Sequence, residues 1–235
     1  FDMLALAVNR PLIAGPYINA SRVNLIEANM TSDQMFFVEV ETNGVDDLLH
    51  DKDRFDTARR KEWDFGKEGI ATLVFDLPGE KVNKLGVVVM TELKKLLEDL
   101  RKKTDIKLLL IKSPKPNIFI AGADINEIEN IRTPEDALDK AREGQDIVGM
   151  IEALPFPTLA VIDGACVGGG LELALSCTYR VATDNLKTQL GLPEVNLGII
   201  PGWGGTQRLP KLVGLQQGLT MILTGKSLAG PQALK

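Results

Sequence analysis

Apolar and polar positions fall into two alternating periods from Gly69 onward. GIATLVFDL reads as a strand, PGEKVNKL as a turn, and VVVMTELKKLLEDLRKK carries apolar residues at helical spacing. IKLLLIK is a short run suited to a buried strand. IFIAGAD is another strand entering a turn, with Asp124 placed to cap a helix over INEIENI. TPEDALDKAREGQDIVGMIEAL then reads as helical, TLAVIDG as a strand, GGGLELALSC as a helix and YRVAT as a strand. Such alternation predicts an α/β domain with largely parallel strand pairing.

Residues 1–66 differ in texture. They hold scattered polar residues, an apolar start (MLALAV) with no basic segment before it, and a dense charge run from Asp46 to Lys67. That is a poor secretory signal and a poor transit peptide. The stretch reads as an N-terminal extension or linker that packs little, with FFVEVET as its one strand candidate and Met30 or Met35 as alternative starts. The chain opens on Phe1 and stops within LAGPQALK, which reads as mid-helix. The expectation is therefore a fragment, with an extension over 1–66 and a domain over 67–235 that is incomplete at its C-terminus.

Composition narrows the function. A chain of 235 residues, 44% apolar and 25% charged, can bury a substantial core. Its apolar runs, such as LLLI, fall far short of the roughly 20 residues a spanning helix needs. A net charge of -5 argues against a general nucleic-acid binder, because phosphate affinity comes from clustered Lys and Arg. Cys166 and Cys177 flank a glycine cluster in apolar sequence and read as reduced core thiols. His50 is the only histidine and lies in a charged stretch. It reads as a solvated surface residue, which leaves Ser-His-Asp catalysis and multi-histidine metal sites without material, and no metal is expected.

The chemistry concentrates in GACVGGGLELALSC and GLPEVNLGIIPGWGGTQRLP, where Glu172 and Glu194 each stand beside a glycine-rich or proline-bearing turn. Bare backbone N–H groups hold an oxyanion and carboxylates exchange protons. A helix that starts near Gly169 has unpaired N–H groups and the positive end of the dipole in its first turn. Glu172 follows about 300° around and about 4.5 Å along the axis, so it projects on nearly the same side. The same spacing also suits close helix–strand packing, with Glu172 merely favouring the dipole. Neither glycine cluster has the G-x-G-x-x-G spacing of a dinucleotide fingerprint.

Taken together, IFIAGADINE, IDGACVGGGLELALSC, YRVAT and LGLPEVNLGIIPGWGGTQRLP resemble the enoyl-CoA hydratase/isomerase (crotonase) family, in order and from about Gly69 to the end of the chain. KVNKL and the 22-residue interval between the two glutamates resemble the hydratase domain of multifunctional fatty-acid oxidation alpha subunits. The resemblance implies a crotonase-like α/β fold, a spiral of stacked ββα units. It implies reversible hydration of 2-trans-enoyl-CoA to 3-hydroxyacyl-CoA, with isomerase activity on the side.

The family's catalytic glutamates match Glu172 and Glu194. Its oxyanion N–H groups match Ala121 and Gly169, and its water-positioning glycine matches Gly202. Lys81, Val82, Gly122 and Asp124 match positions around the CoA moiety. The resemblance further implies an oligomer, with a thiolase beta subunit as a partner. It implies cytoplasmic residence in a bacterium or a mitochondrial matrix location in a eukaryote. No cofactor is implied for this stretch, NAD belonging to a downstream dehydrogenase domain. An enoyl-CoA delta-isomerase and a non-catalytic CoA-ester binding module remain open as alternatives.

Overall fold

In a computed structural model, residues 3–5, 36–40 and 69–233 are described. His50, Met30 and Met35 lie outside them. Among the described residues, ten strands form two sheets. The larger takes in β1 (Met3–Ala5), β2 (Phe36–Val40), β3 (Ile70–Phe75), β4 (Leu108–Lys112), β6 (Thr158–Ile162) and β8 (Tyr179–Thr183), in the order β1-β8-β6-β4-β3-β2. Its four central strands are parallel, and β1 and β2 add antiparallel edges. The smaller sheet runs β10-β9-β7-β5, built from β5 (Ile118–Ile120), β7 (Ala165–Val167), β9 (Gln189–Gly191) and β10 (Leu228–Ala229).

The chain steps from the large sheet to the small one three times, through β4 to β5, β6 to β7 and β8 to β9. A helical segment follows each step. These are α2 (Ile125–Glu129) with α3 (Pro134–Glu152), then α4 (Gly169–Ser176), then a 3-10 turn over Pro193–Leu197 leading to α5 (Gly205–Val213). α1 (Val87–Leu100) connects β3 to β4. α6 (Leu215–Thr224) and α7 (Gly230–Ala233) follow α5. Stacked ββα units, as expected, thus build the α/β domain.

Local physics fixes the elements. β3 is buried along almost its whole length, as a central parallel strand must be. α1 buries Val89, Met90, Leu93, Leu97 and Leu100, one stripe at helical spacing. The helix stops before the RKK expected to continue it: Arg101 is its C-cap, with its N–H donating to the Leu97 carbonyl, and the Lys102 N–H turns back to the Asp99 carbonyl. Thr133 caps α3 from its side chain and Pro134 opens it. The core joins both layers, with Phe75, Phe119, Leu97, Leu109, Ile147 and Ala174 all at 1% exposure or less.

Two short N-terminal segments join the edges of the large sheet. β2, at the expected FFVEVET strand, pairs antiparallel with β3 from Phe36 opposite Phe75 to Val40 opposite Ala71. β1 pairs likewise with β8. The open edges of a parallel sheet offer unpaired N–H and C=O groups, which a sequence read strand by strand does not reveal.

Candidate active site

Glu172 sits in the first turn of α4, and the local sequence explains its place. Gly168 precedes the helix with φ 55, in the left-handed region that a side chain disfavours. A Cβ on Gly170 would run into the Ile120 carbonyl, so this glycine serves the close helix–strand packing that the sequence left open. A Cβ on Gly169 would instead lie 2.7 Å from the indole of Trp203. Close packing therefore accounts for both glycines, Gly170 against a strand and Gly169 against an indole.

The Glu172 side chain is buried, at 2% exposure. Its Oε1 accepts hydrogen bonds from the N–H of Trp203 and of Gly205, both at 2.8 Å. Gly205 is the first residue of α5, so the carboxylate takes up donors that the helix start would leave unpaired. Burial raises the Glu172 carboxyl above the usual carboxylate range, while these two N–H groups and Arg208 pull the other way.

Glu194 reaches the same place from the 3-10 turn after β9. A Cβ on Gly168 would stand 3.4 Å from its Oε1 and 3.6 Å from the Cα of Gly122. Glu194, the start of α4 and the turn after β5 therefore converge. Its Oε2 is buried with no hydrogen-bond partner among the described residues. Burial pushes the Glu194 carboxyl up to about 7, and the charge of Glu172 adds to the rise. The two carboxyls differ sharply in their surroundings, one bonded by two N–H groups and one with a bare oxygen.

The turn after β5 corrects one expectation. The N–H of Ala121, expected as an oxyanion donor, donates to the Asn83 carbonyl at 2.8 Å and is not free. Leu85 bridges in parallel to Ala123, using the Gly122 carbonyl at 2.8 Å and the Asp124 N–H at 3.1 Å. A parallel bridge engages the neighbours of its central residue, so the Ala123 N–H points away from Leu85. It has no acceptor among the described residues, nor has the N–H of Gly169. Unlike the Ala121 N–H, the Ala123 N–H two residues on is left unengaged among the described residues.

The remaining expected positions fall nearby in different roles. Gly202 lies in the loop before α5, its carbonyl held by Gln145 Nε2 at 2.7 Å. Gly122 has φ 102 and packs against the Val167 carbonyl. Asp124 caps α2 through Asn126 N–H at 3.0 Å and pairs with Lys84 at 3.0 Å, and that ammonium holds its carboxyl below the usual range. Its carboxylate is therefore occupied. Lys81 is exposed and Val82 half-buried on the loop between β3 and α1.

Asn83 went unread in the sequence. It is fully buried, and its Nδ2 donates to the carbonyls of Phe75 and Phe119 and to the Ser113 hydroxyl, while its Oδ1 accepts from Leu77 N–H. One amide thereby ties the ends of three strands to the loop that positions Ala121 and Ala123. Its signal was a polar residue inside KVNKL, which a turn reading treats as solvated.

Cys166 and Cys177 are buried free thiols, and burial pushes Cys177 up to about 12 and Cys166 up as well. Among the described residues, no group of three or more His, Cys, Asp or Glu side chains could hold a metal, and no helix is long and apolar enough to cross a membrane.

Known proteins share this fold and sequence pattern. A family model described as enoyl-CoA hydratase/isomerase matches residues 66–235. The fatty acid oxidation complex subunit alpha of Idiomarina loihiensis is 54% identical over 168 residues, covering 72% of this chain and 24% of that protein. An enoyl-CoA hydratase structure from Bacillus anthracis matches at 31% identity with a TM-score of 0.65, over 70% of this chain and 62% of that one. One from Thermoplasma volcanium GSS1 matches at 30% identity and a TM-score of 0.65, over 72% and 65%. This chain spans about a quarter of the curated relative and less than two thirds of these solved hydratases. With the family model covering most of its length and the ββα stack and paired glutamates in place, the chain belongs to the enoyl-CoA hydratase/isomerase family.

Proposed function

We propose that this chain hydrates 2-trans-enoyl-CoA thioesters reversibly to 3-hydroxyacyl-CoA. The observation that carries the reading is the contrast between two neighbouring carboxyls. Oε1 of Glu172 accepts two N–H bonds, which favour its anion, whereas the buried Oε2 of Glu194 has no partner and its carboxyl rises to about 7. The first proton taken up by the pair belongs on Glu194. Because the two titrate together, that ordering describes the pair and not two independent sites.

The chemistry follows from this ordering. The thioester oxygen lies against the N–H groups of Ala123 and Gly169, which stabilise the enolate charge that develops there. Water held between the carboxylates gives a proton to Glu172 as its oxygen bonds to C3. Glu194 delivers its own proton to C2, so the C2–C3 double bond is consumed and the proton count balances. Each oxyanion donor contributes about 10² to 10³ in rate and each proton-transfer group about 10² to 10⁴. The Gly202 N–H stands in the loop that borders Glu172 and is assigned to the attacking water.

Fatty-acid oxidation is the setting this reading favours, since the Idiomarina relative carries that name. A thiolase-type partner belongs to the same proposal. The test is loss of enoyl-thioester absorbance from crotonyl-CoA with appearance of 3-hydroxybutyryl-CoA. A folded protein that binds CoA esters without hydrating them overturns the reading in favour of a binding module.

A further inference from the structure

The loop that grips Glu172 is itself gripped from outside. The Gly202 carbonyl and the Trp203 N–H belong to one peptide group. That group accepts from Gln145 Nε2 at 2.7 Å on one side and donates to Glu172 Oε1 at 2.8 Å on the other. A donor on the carbonyl polarises the peptide and strengthens its N–H as a donor. The next peptide is fixed as well, because Arg208 Nη1 donates to the Trp203 carbonyl at 3.0 Å. Arg208 is in turn aimed by Glu152, whose Oε2 accepts from Nη2 at 2.9 Å and from Nε at 3.3 Å.

We propose that Arg208 and Gln145 are positioning residues that hold the Gly202–Gly204 peptides so that Glu172 is kept as the anion of the pair. Neither residue touches Glu172 directly. Their reach comes from two elements, α3 carrying Gln145 and Glu152, and α5 carrying Arg208. Both residues border an open cleft of ≈ 1040 Å³ on the outer side of the loop, so they act from the wall behind the carboxylates. Two charged groups bear on this carboxylate: Arg208 from α5 lowers the proton affinity of Glu172, and Glu194 on the 3-10 turn has its own proton affinity raised by the Glu172 charge. Glu152 of α3 acts on Glu172 only through Arg208.

The inference rests on the proposed use of Glu172 for its meaning, but its test does not need turnover. The glutamate carboxyl carbons of isotopically labelled protein are titrated by NMR, with Glu172→Gln assigning the Glu172 signal. Arg208→Gln is expected to raise the Glu172 midpoint by roughly half a unit or more, and Gln145→Leu to raise it by less. Arg208→Lys keeps the charge without the planar fork and is expected to recover part of the shift, which also covers the case in which Arg208→Gln does not fold. In the hydration assay, Arg208→Gln is expected to lower kcat about tenfold with KM little changed, as loss of an interaction made in the transition state requires. Unchanged Glu172 midpoints in folded Arg208→Gln and Gln145→Leu overturn the proposal. If the wild type shows the expected titration but hydrates no enoyl-CoA, the proposed reaction falls and the clamp stands.

Discussion

Gly144 of α3 lies so close to the indole Nε1 of Trp203 that no side chain fits between them. The far edge of the same ring lies against Gly169, where a Cβ would come within 2.7 Å. Trp203 is thus wedged between α3 and the start of α4 while its backbone N–H holds Glu172. Gly144→Ala is expected to displace the ring and destabilise the fold by about 1–3 kcal/mol, as overpacking does. Placing Gly144→Ala on a Trp203→Ala background is expected to remove most of that cost, since the clash has gone. Denaturant midpoints of the four proteins in this cycle check it, and equal costs on both backgrounds contradict it.

A pH dependence follows from Glu194. Its folded carboxyl titrates at about 7 against an ordinary 4.5, so folding favours the protonated form. Below pH ~4.5 both states carry the proton and nothing is lost. As pH rises from there through about 7, the unfolded chain releases the proton first and stability falls. Glu194→Gln is expected to exceed the wild type in Tm at pH 8, with the difference closing by about pH 4.5. After allowance for partial exposure to solvent, the gain is on the order of 1 kcal/mol. Hydration by the wild type is expected to decline above pH ~7 as Glu194 loses the proton it delivers.

Asn83 links the fold to the site. Its amide makes four hydrogen bonds in a fully buried position, and its carbonyl holds the Ala121 N–H. Asn83→Ala strands several of those partners without water and is expected to cost about 2–4 kcal/mol. Asn83→Asp replaces the Nδ2 donor by an acceptor facing two carbonyls and is expected to be at least as damaging. Chemical denaturation measures both, and a change under 1 kcal/mol in either contradicts the tie that Asn83 makes between the strands and the loop.

Much of this was legible in the sequence because periodicity and turn chemistry are local. The strand of GIATLVFDL, the cap at Asp124 and the helix start in GGGLELALSC follow from neighbouring residues, and the structure places each where the pattern put it. What could not be read depends on contacts between distant segments. Whether the N–H of Ala121 or of Ala123 is free is decided by Asn83 and Leu85, some forty residues earlier in the chain. The grip on Glu172 comes from Trp203 and Gly205, and the brace behind it from Gln145 and Arg208. The edge pairing of Phe36–Val40 likewise needs a partner that only the assembled sheet supplies.

The central claim is that the unlike surroundings of Glu172 and Glu194 divide base and acid work between them. The most direct measurement compares wild type and Glu194→Gln for hydration of crotonyl-CoA and for binding of a CoA ester. Rapid hydration by the wild type is expected, with a loss of about 10² to 10⁴ in Glu194→Gln and ester affinity largely unchanged. Hydration that survives in Glu194→Gln at near wild-type rate would contradict that division of work.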